Sequence, residues 1–223
     1  MFSNQPILHL AAAACLAGAC SASDPYAIVL EKLHRLAPLP RLSPELREKV
    51  IAALPKKGEV RVLHPDWRRK LDSVALVLKA HGRDSDYVFK VFESDQARLA
   101  IHARFVVLVP DTALKLLTSS ELQAVVAHEI GHEYVWEEYD QAKKRNDWSR
   151  LRELELFCDG VAILTLVRID VSPSALIDAL RMMEASDRIN GISWVRNSHP
   201  STFDRARFAS ELTKRLVIGT RTP

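Results

Sequence analysis

Thr118-Ser-Ser-Glu-Leu-Gln-Ala-Val-Val-Ala-His-Glu-Ile-Gly-His132 is the stretch on which the reading of this chain turns. Thr118 stands three residues before Glu121, the spacing at which the two side chains cap each other's backbone N–H at a helix start. The apolar run behind them predicts a helix from Glu121 to about Tyr139. His128 and His132 are four positions apart in it, so both imidazoles rise from one face and can reach a single ion at about 2.0–2.1 Å. Glu129 follows about 100° round the helix. That places it beside such an ion without ligating it, where it can take a proton from a water.

A catalytic zinc takes three protein ligands and keeps a fourth position open. The next predicted helix, Ser149 to Val167, offers Glu153, Glu155 and Asp159. Glu155 and Asp159 share one face within the otherwise apolar segment Leu154 to Thr165, and carboxylates there are costly to bury unless paired or metal-bound. Glu155 is therefore the expected third ligand. Asp159, one turn on, is expected to accept a hydrogen bond from a ligating histidine and so fix its tautomer. The competing reading leaves both carboxylates solvated, or pairs Asp159 with Arg152 or Arg168.

Outward from these helices the pattern predicts a mostly helical chain with a small sheet, an α+β layout. Asp24-Pro25 opens a helix running to Leu36, and Ser43-Pro44 opens another ending near Leu54. Glu59 to Leu63 alternates like a strand, and Trp67 to Ala80 has helical spacing. Tyr87 to Phe92, Arg98 to His102 and Phe105 to Val109 read as strands. The charged stretch Asp140 to Trp148 separates the two long helices, and the run Asp140 to Arg150 reads as a surface loop. Ser172-Pro173 opens a helix to about Ala185, a loop spans Asp187 to Pro200, and Ser201-Thr-Phe-Asp204 caps a last helix to about Leu216.

The 223 residues suit one domain, with 48% hydrophobic and 26% charged residues, an ordinary globular balance. A net charge of +3, with both signs interspersed, gives no case for a nucleic-acid partner. Ile7 to Ala19 is a short apolar run followed by small residues, which reads as a secretory signal cleaved after Ala19 or Ala22. It is well short of the roughly 20 residues of a spanning helix. The expected division is therefore a signal over 1–22, an N-terminal helical segment over 23–58 and a metallopeptidase domain over 59–218. Such a protein is exported, to a periplasm or beyond. Cys20 also stands where a lipoprotein carries its acylated cysteine, although Ala17 replaces the preferred leucine. With the signal removed Cys158 is the one cysteine left, so no disulfide framework is expected.

From about Tyr87 to Leu216 the chain resembles the HtpX-like and CAAX prenyl endopeptidase-like zinc metallopeptidases. The resemblance is carried by Phe105 to Val109, by Thr118 to His132, by the ExxxD pattern Glu155 to Asp159, and by His199-Pro200 with Arg205. It implies a zincin-like fold, one zinc ion per chain on His128, His132 and Glu155, and support from Asp159. It also implies that His199 and Arg205 belong to the active-site surroundings, where they would stabilise an oxyanion. The chain departs from the family before the apolar strand. Gln96-Ala97-Arg98 and His102-Ala103-Arg104 stand where relatives have Asn-Ala and a Gly-rich turn. Phe105, Val106, Val107 and Leu108 are the candidates to pair with an extended substrate, as an edge strand would, and the same run equally suits a buried strand. The expected activity is hydrolysis of peptide bonds in protein substrates, in the manner of periplasmic quality control. The alternative is a silent or latent member of the same fold, a chaperone or adaptor that binds unfolded proteins or a partner. In the latent form a loop such as Asp187 to His199 would cover the zinc.

Overall fold

A helix stretch buried on every side belongs in the middle of a fold, since no face of it meets water. Ser119–Tyr134 and Trp148–Arg168 each contain one, Leu122 to His128 and Phe157 to Leu166. They pack against each other at the centre of the computed structural model, which describes residues 27–33, 36, 39, 42–83, 86–192 and 198–219. In chain order the elements are α1 (Ala27–Leu33), α2 (Pro44–Ala53), α3 (Pro65–Ser73), α4 (Ala75–Ala80), β1 (Val88–Phe92), β2 (Ala100–His102) and β3 (Val106–Pro110). There follow α5 (Asp111–Leu116), α6 (Ser119–Tyr134), α7 (Trp136–Arg145), α8 (Trp148–Arg168), α9 (Ser174–Ile189) and α10 (Thr202–Gly219). The described chain is mostly helical with one three-stranded sheet, as an α+β reading requires. Val29, Leu33 and Leu36 join the same core as α6 and α8, so the N-terminal segment is packed on the rest. The expected signal, with Cys20, lies outside the described residues. Among those residues no helix is long and apolar enough to cross a membrane.

The sheet corrects one expectation. Its strand order is β1-β3-β2, with β3 parallel to β1 and antiparallel to β2. Val106, Val107 and Leu108 are therefore paired on both sides, and Phe105, Val106 and Val107 are fully buried. A continuous β-branched run is what a covered central strand needs. It cannot also offer a free edge to a substrate. The free edge is β2, where Ala100 lies opposite Leu108 and His102 opposite Val106. The turn into β3 runs through Ala103 and Arg104, both with positive φ, at 48° and 68°.

Other boundaries move for local reasons. Trp67 to Ala80 is two helices, because the Gln123 Nε2 donates to the Ser73 carbonyl at 2.7 Å and draws it out of the helical ladder. Glu59 to Leu63 contributes a single bridge, Glu59 to Phe92, and no strand. The helix expected to run to Tyr139 stops at Tyr134 and restarts as α7 after the buried Val135. The charged run read as a loop is mostly α7. Glu137 and Glu138 begin it, Lys143, Lys144 and Arg145 end it, and left-handed Asn146 closes it. Those charges suit the helix dipole, and the asparagine suits a C-terminal stop.

Candidate metal centre

The geometry of the centre starts from how closely α6 and α8 approach. A methyl group built on Gly131 would lie 2.8 Å from Cys158 Cα and 2.9 Å from its Cβ. Only a glycine lets the two backbones come this near. The contact sets the histidine face of α6 directly against the Glu155 side of α8. The capping box begins α6 as expected: Thr118 Oγ1 accepts from the Glu121 N–H at 3.3 Å, and Glu121 Oε2 accepts from the Thr118 N–H at 2.7 Å.

His128, Glu129 and His132 each bring one potential ligand atom within 4.8 Å of the others. Glu155 spans the two imidazoles from the opposite helix. Its Oε2 is 3.3 Å from His128 Nε2, and its Oε1 is 3.7 Å from His132 Nε2. Both histidines turn Nε2 inward because Nδ1 is engaged behind. His128 Nδ1 is 2.9 Å from Asp159 Oδ1, and His132 Nδ1 is 3.5 Å from the buried Cys158 sulfur. His199 also reaches the cluster, with Nε2 3.4 Å from Glu155 Oε1 and Nδ1 2.9 Å from Ser198 Oγ.

Arg205 stands in the surroundings of the cluster and is paired. It is buried, and its guanidinium grips Asp159 in two places, Nε to Oδ2 at 2.7 Å and Nη2 to Oδ1 at 2.5 Å. The same Nη2 lies 3.3 Å from His128 Nδ1. Arg205 therefore fixes the carboxylate that fixes His128, and Asp159 pairs with it rather than with Arg152 or Arg168. A planar guanidinium meets a carboxylate in this forked way better than any other cation.

The two glutamates are driven in opposite directions. Burial pushes Glu129 up to about 7, against the pull of the His128 charge and an N–H from Ile101. At Glu155 burial acts the same way but is outweighed by the imidazoles of His132 and His128, which hold it well below the usual carboxylate range. Arg205 does the same for Asp159. Burial lowers His128 too, but the Asp159 and Glu155 carboxylates prevail and raise it to about 9. His132 lacks a carboxylate on Nδ1, and burial takes it down to about 4. One carboxyl that exchanges protons near neutrality beside one that stays ionised is the usual division between proton carrier and charge.

Glu155 Oε2 decides whether these residues suit a metal. It is buried and makes no well-aligned hydrogen bond, facing His128 Nε2 at 3.3 Å. A buried, ionised oxygen left without a good hydrogen bond costs about 1–3 kcal/mol. A cation between the imidazoles would remove that cost. Two imidazole nitrogens and one carboxylate oxygen form a donor set that catalytic zinc accepts.

A cavity of about 420 Å³ opens over the cluster. Leu99, Ala100 and Ile101 bring the free edge of β2 to one wall, and Glu129 faces it. Val125 with Leu176, Leu180 and Met183 of α9 lines an apolar end, while Trp136, Tyr139, Asp140 and Lys143 of α7 line a polar one. The structure thus assembles His128, Glu129, His132, Glu155, Asp159 and His199, brings Arg205 to the same cavity with its guanidinium on Asp159, and keeps Phe105 to Leu108 away. Tyr139, whose hydroxyl donates to Glu155 Oε1 at 3.0 Å, was missed by sequence reasoning, as were Arg98 and the α9 wall. The alternating pattern of Arg98 to His102 was the available signal for the edge. No protein-family model matches the chain, and no curated protein matches it.

Proposed function

We propose that this chain is a zinc-dependent endopeptidase of the HtpX-like, zincin type, exported and acting on protein substrates. One zinc ion would be held by His128, His132 and Glu155. The observation that carries the reading is the buried Glu155 carboxylate set against two inward-turned imidazoles, Oε2 facing His128 Nε2 and Oε1 facing His132 Nε2. The ion supplies Lewis-acid chemistry at that point, polarising a carbonyl and acidifying a water.

The rest is the work of side chains. Glu129, a half-buried carboxyl on the cavity wall beside both histidines, takes the proton of the attacking water and passes it to the leaving amine. His199 lies on the cavity wall beside the ligands and can donate to the oxyanion as it forms. Arg205 and Asp159 hold the His128 ring. An extended substrate adds to the free edge of β2, and a bulky apolar side chain fits against Leu99, Val125, Leu180 and Met183.

The test is metal analysis of the purified protein together with casein cleavage by wild type and Glu129→Gln. The expected result is one zinc per chain in both proteins and cleavage by the wild type alone. Cleavage by Glu129→Gln at the wild-type rate would remove Glu129 as the base. A metal-free wild type that cuts equally well would end the reading. A second reading, a latent enzyme, is favoured by His199 Nε2 lying 3.4 Å from Glu155 Oε1, close enough to share the ion and close the fourth position. Much of the loop expected to cover the site, residues 193–197, lies outside the described residues. His199→Ala separates the two readings, since it would slow an active enzyme and release a latent one.

A further inference from the structure

We propose that Tyr139 is a positioning residue for this centre, its hydroxyl holding Oε1 of Glu155 so that Oε2 is the oxygen presented to the ion. The proposal rests on the metallopeptidase reading above. Three groups surround Glu155 Oε1, and of them the Tyr139 hydroxyl is nearest, donating at 3.0 Å. His199 Nε2 and His132 Nε2 stand off at 3.4 and 3.7 Å. The other oxygen, Oε2, has no well-aligned hydrogen bond and faces His128 Nε2 at 3.3 Å. The carboxylate is therefore asymmetric, held by a hydroxyl at one atom and turned to an imidazole at the other. A terminal carboxylate torsion is broad and roughly two-fold, so an anchor is needed to choose between its oxygens.

Tyr139 also sets the second histidine. Its ring meets the His132 ring edge-on, with centroids 4.8 Å apart and planes at 80°. That contact depends on the break at Val135. In an unbroken helix Tyr139 would sit seven residues beyond His132, about 10.5 Å further along the axis. The restart as α7 folds it back over the ligands. Glu138, the preceding residue, ties α7 down on two sides through ion pairs with Lys32 of α1 and Arg150 of α8. Ligands held this way by outer partners lose about 10–100-fold in metal affinity when the partner is removed.

Tyr139→Phe keeps the ring, and with it the His132 contact, and deletes only the donor. Zinc affinity is measured by chelator competition in wild type and variant, and the visible spectrum of the cobalt-substituted proteins is recorded, because it reports ligand geometry directly. Circular dichroism and the melting temperature of the metal-free proteins serve as fold controls. The expected result is a loss of affinity of about 10–100-fold with an altered cobalt spectrum and an unchanged fold. Should Tyr139→Phe fail to fold, Tyr139→His, which keeps a ring and a donor, carries the test: its affinity should stay within a few-fold of wild type, and a loss as large as that of Glu155→Ala would overturn the proposal. Wild-type affinity and spectrum in Tyr139→Phe would also overturn it while leaving the metallopeptidase reading intact. A wild type that binds no zinc would overturn that reading and this proposal together.

Discussion

Gly131→Ala sets two well-known effects against each other, and the structure says which prevails. In an isolated helix alanine is better than glycine by about 1 kcal/mol, so a free α6 would gain from the change. Here the new methyl would meet Cys158 Cα at 2.8 Å and Cβ at 2.9 Å. Ordinary carbon–carbon contacts lie at about 3.5–4.0 Å, so the helices must part by roughly 0.6–1 Å. Both obstacles belong to the α8 backbone or its first side-chain atom, and neither can swing aside. Overpacking of this kind costs about 1–3 kcal/mol, and backbone contacts put it at the upper end. The net expectation is a loss of about 2 kcal/mol, or a melting temperature about 4–8 °C lower for a chain of this size. The same movement carries His128 and His132 away from Glu155 by several times the tolerance of about 0.2 Å that a metal site allows. Thermal denaturation in chelator and zinc competition at 25 °C measure the two consequences separately. An alanine variant as stable as wild type with undiminished zinc affinity would refute the claim that this glycine sets the ligand spacing.

Three further outcomes follow from the same centre. Arg205→Ala strands the buried Asp159 charge and should cost about 3–5 kcal/mol in urea denaturation, and a loss below 1 kcal/mol would show that the pair does not hold the site together. In the metal-free protein Glu129 keeps its proton up to about 7, whereas in the unfolded chain it ionises near 4.5. Its contribution to stability is thus present below pH 4.5 and lost as the pH rises through 7, so Glu129→Gln should flatten the decline across that window; parallel curves for the two proteins would contradict the assignment. Mass-spectrometric mapping of a casein digest should find Leu, Phe, Met or Ile enriched at one position flanking the cut. Leu180→Arg should shift that preference toward acidic residues, and an unchanged cut pattern would rule out the α9 wall as a specificity pocket.

Much of the centre was legible because its signals are local. Four-residue spacing puts His128 and His132 on one face whatever surrounds the helix, and the same rule pairs Glu155 with Asp159. An apolar setting made those carboxylates conspicuous, and burial does give each a partner or a place facing the candidate ion. The capping box at Thr118 and the Ser201 cap set helix starts within a residue or two, because they depend on atoms three positions apart.

What the tertiary structure alone decided is where segments meet. A β-branched run such as Phe105 to Val109 is the same string whether it ends at the edge or the middle of a sheet, and only pairing with both β1 and β2 makes it central. Arg205 carried no local mark of a partner for Asp159, since the chain between them, 46 positions apart, had to fold before they could meet. Tyr139 was hidden for a related reason: periodicity continued the helix through Val135, and the break that returns it to His132 depends on what packs there. Chemistry set by spacing along one helix was written in the sequence, while chemistry set by contact between helices waited on the fold.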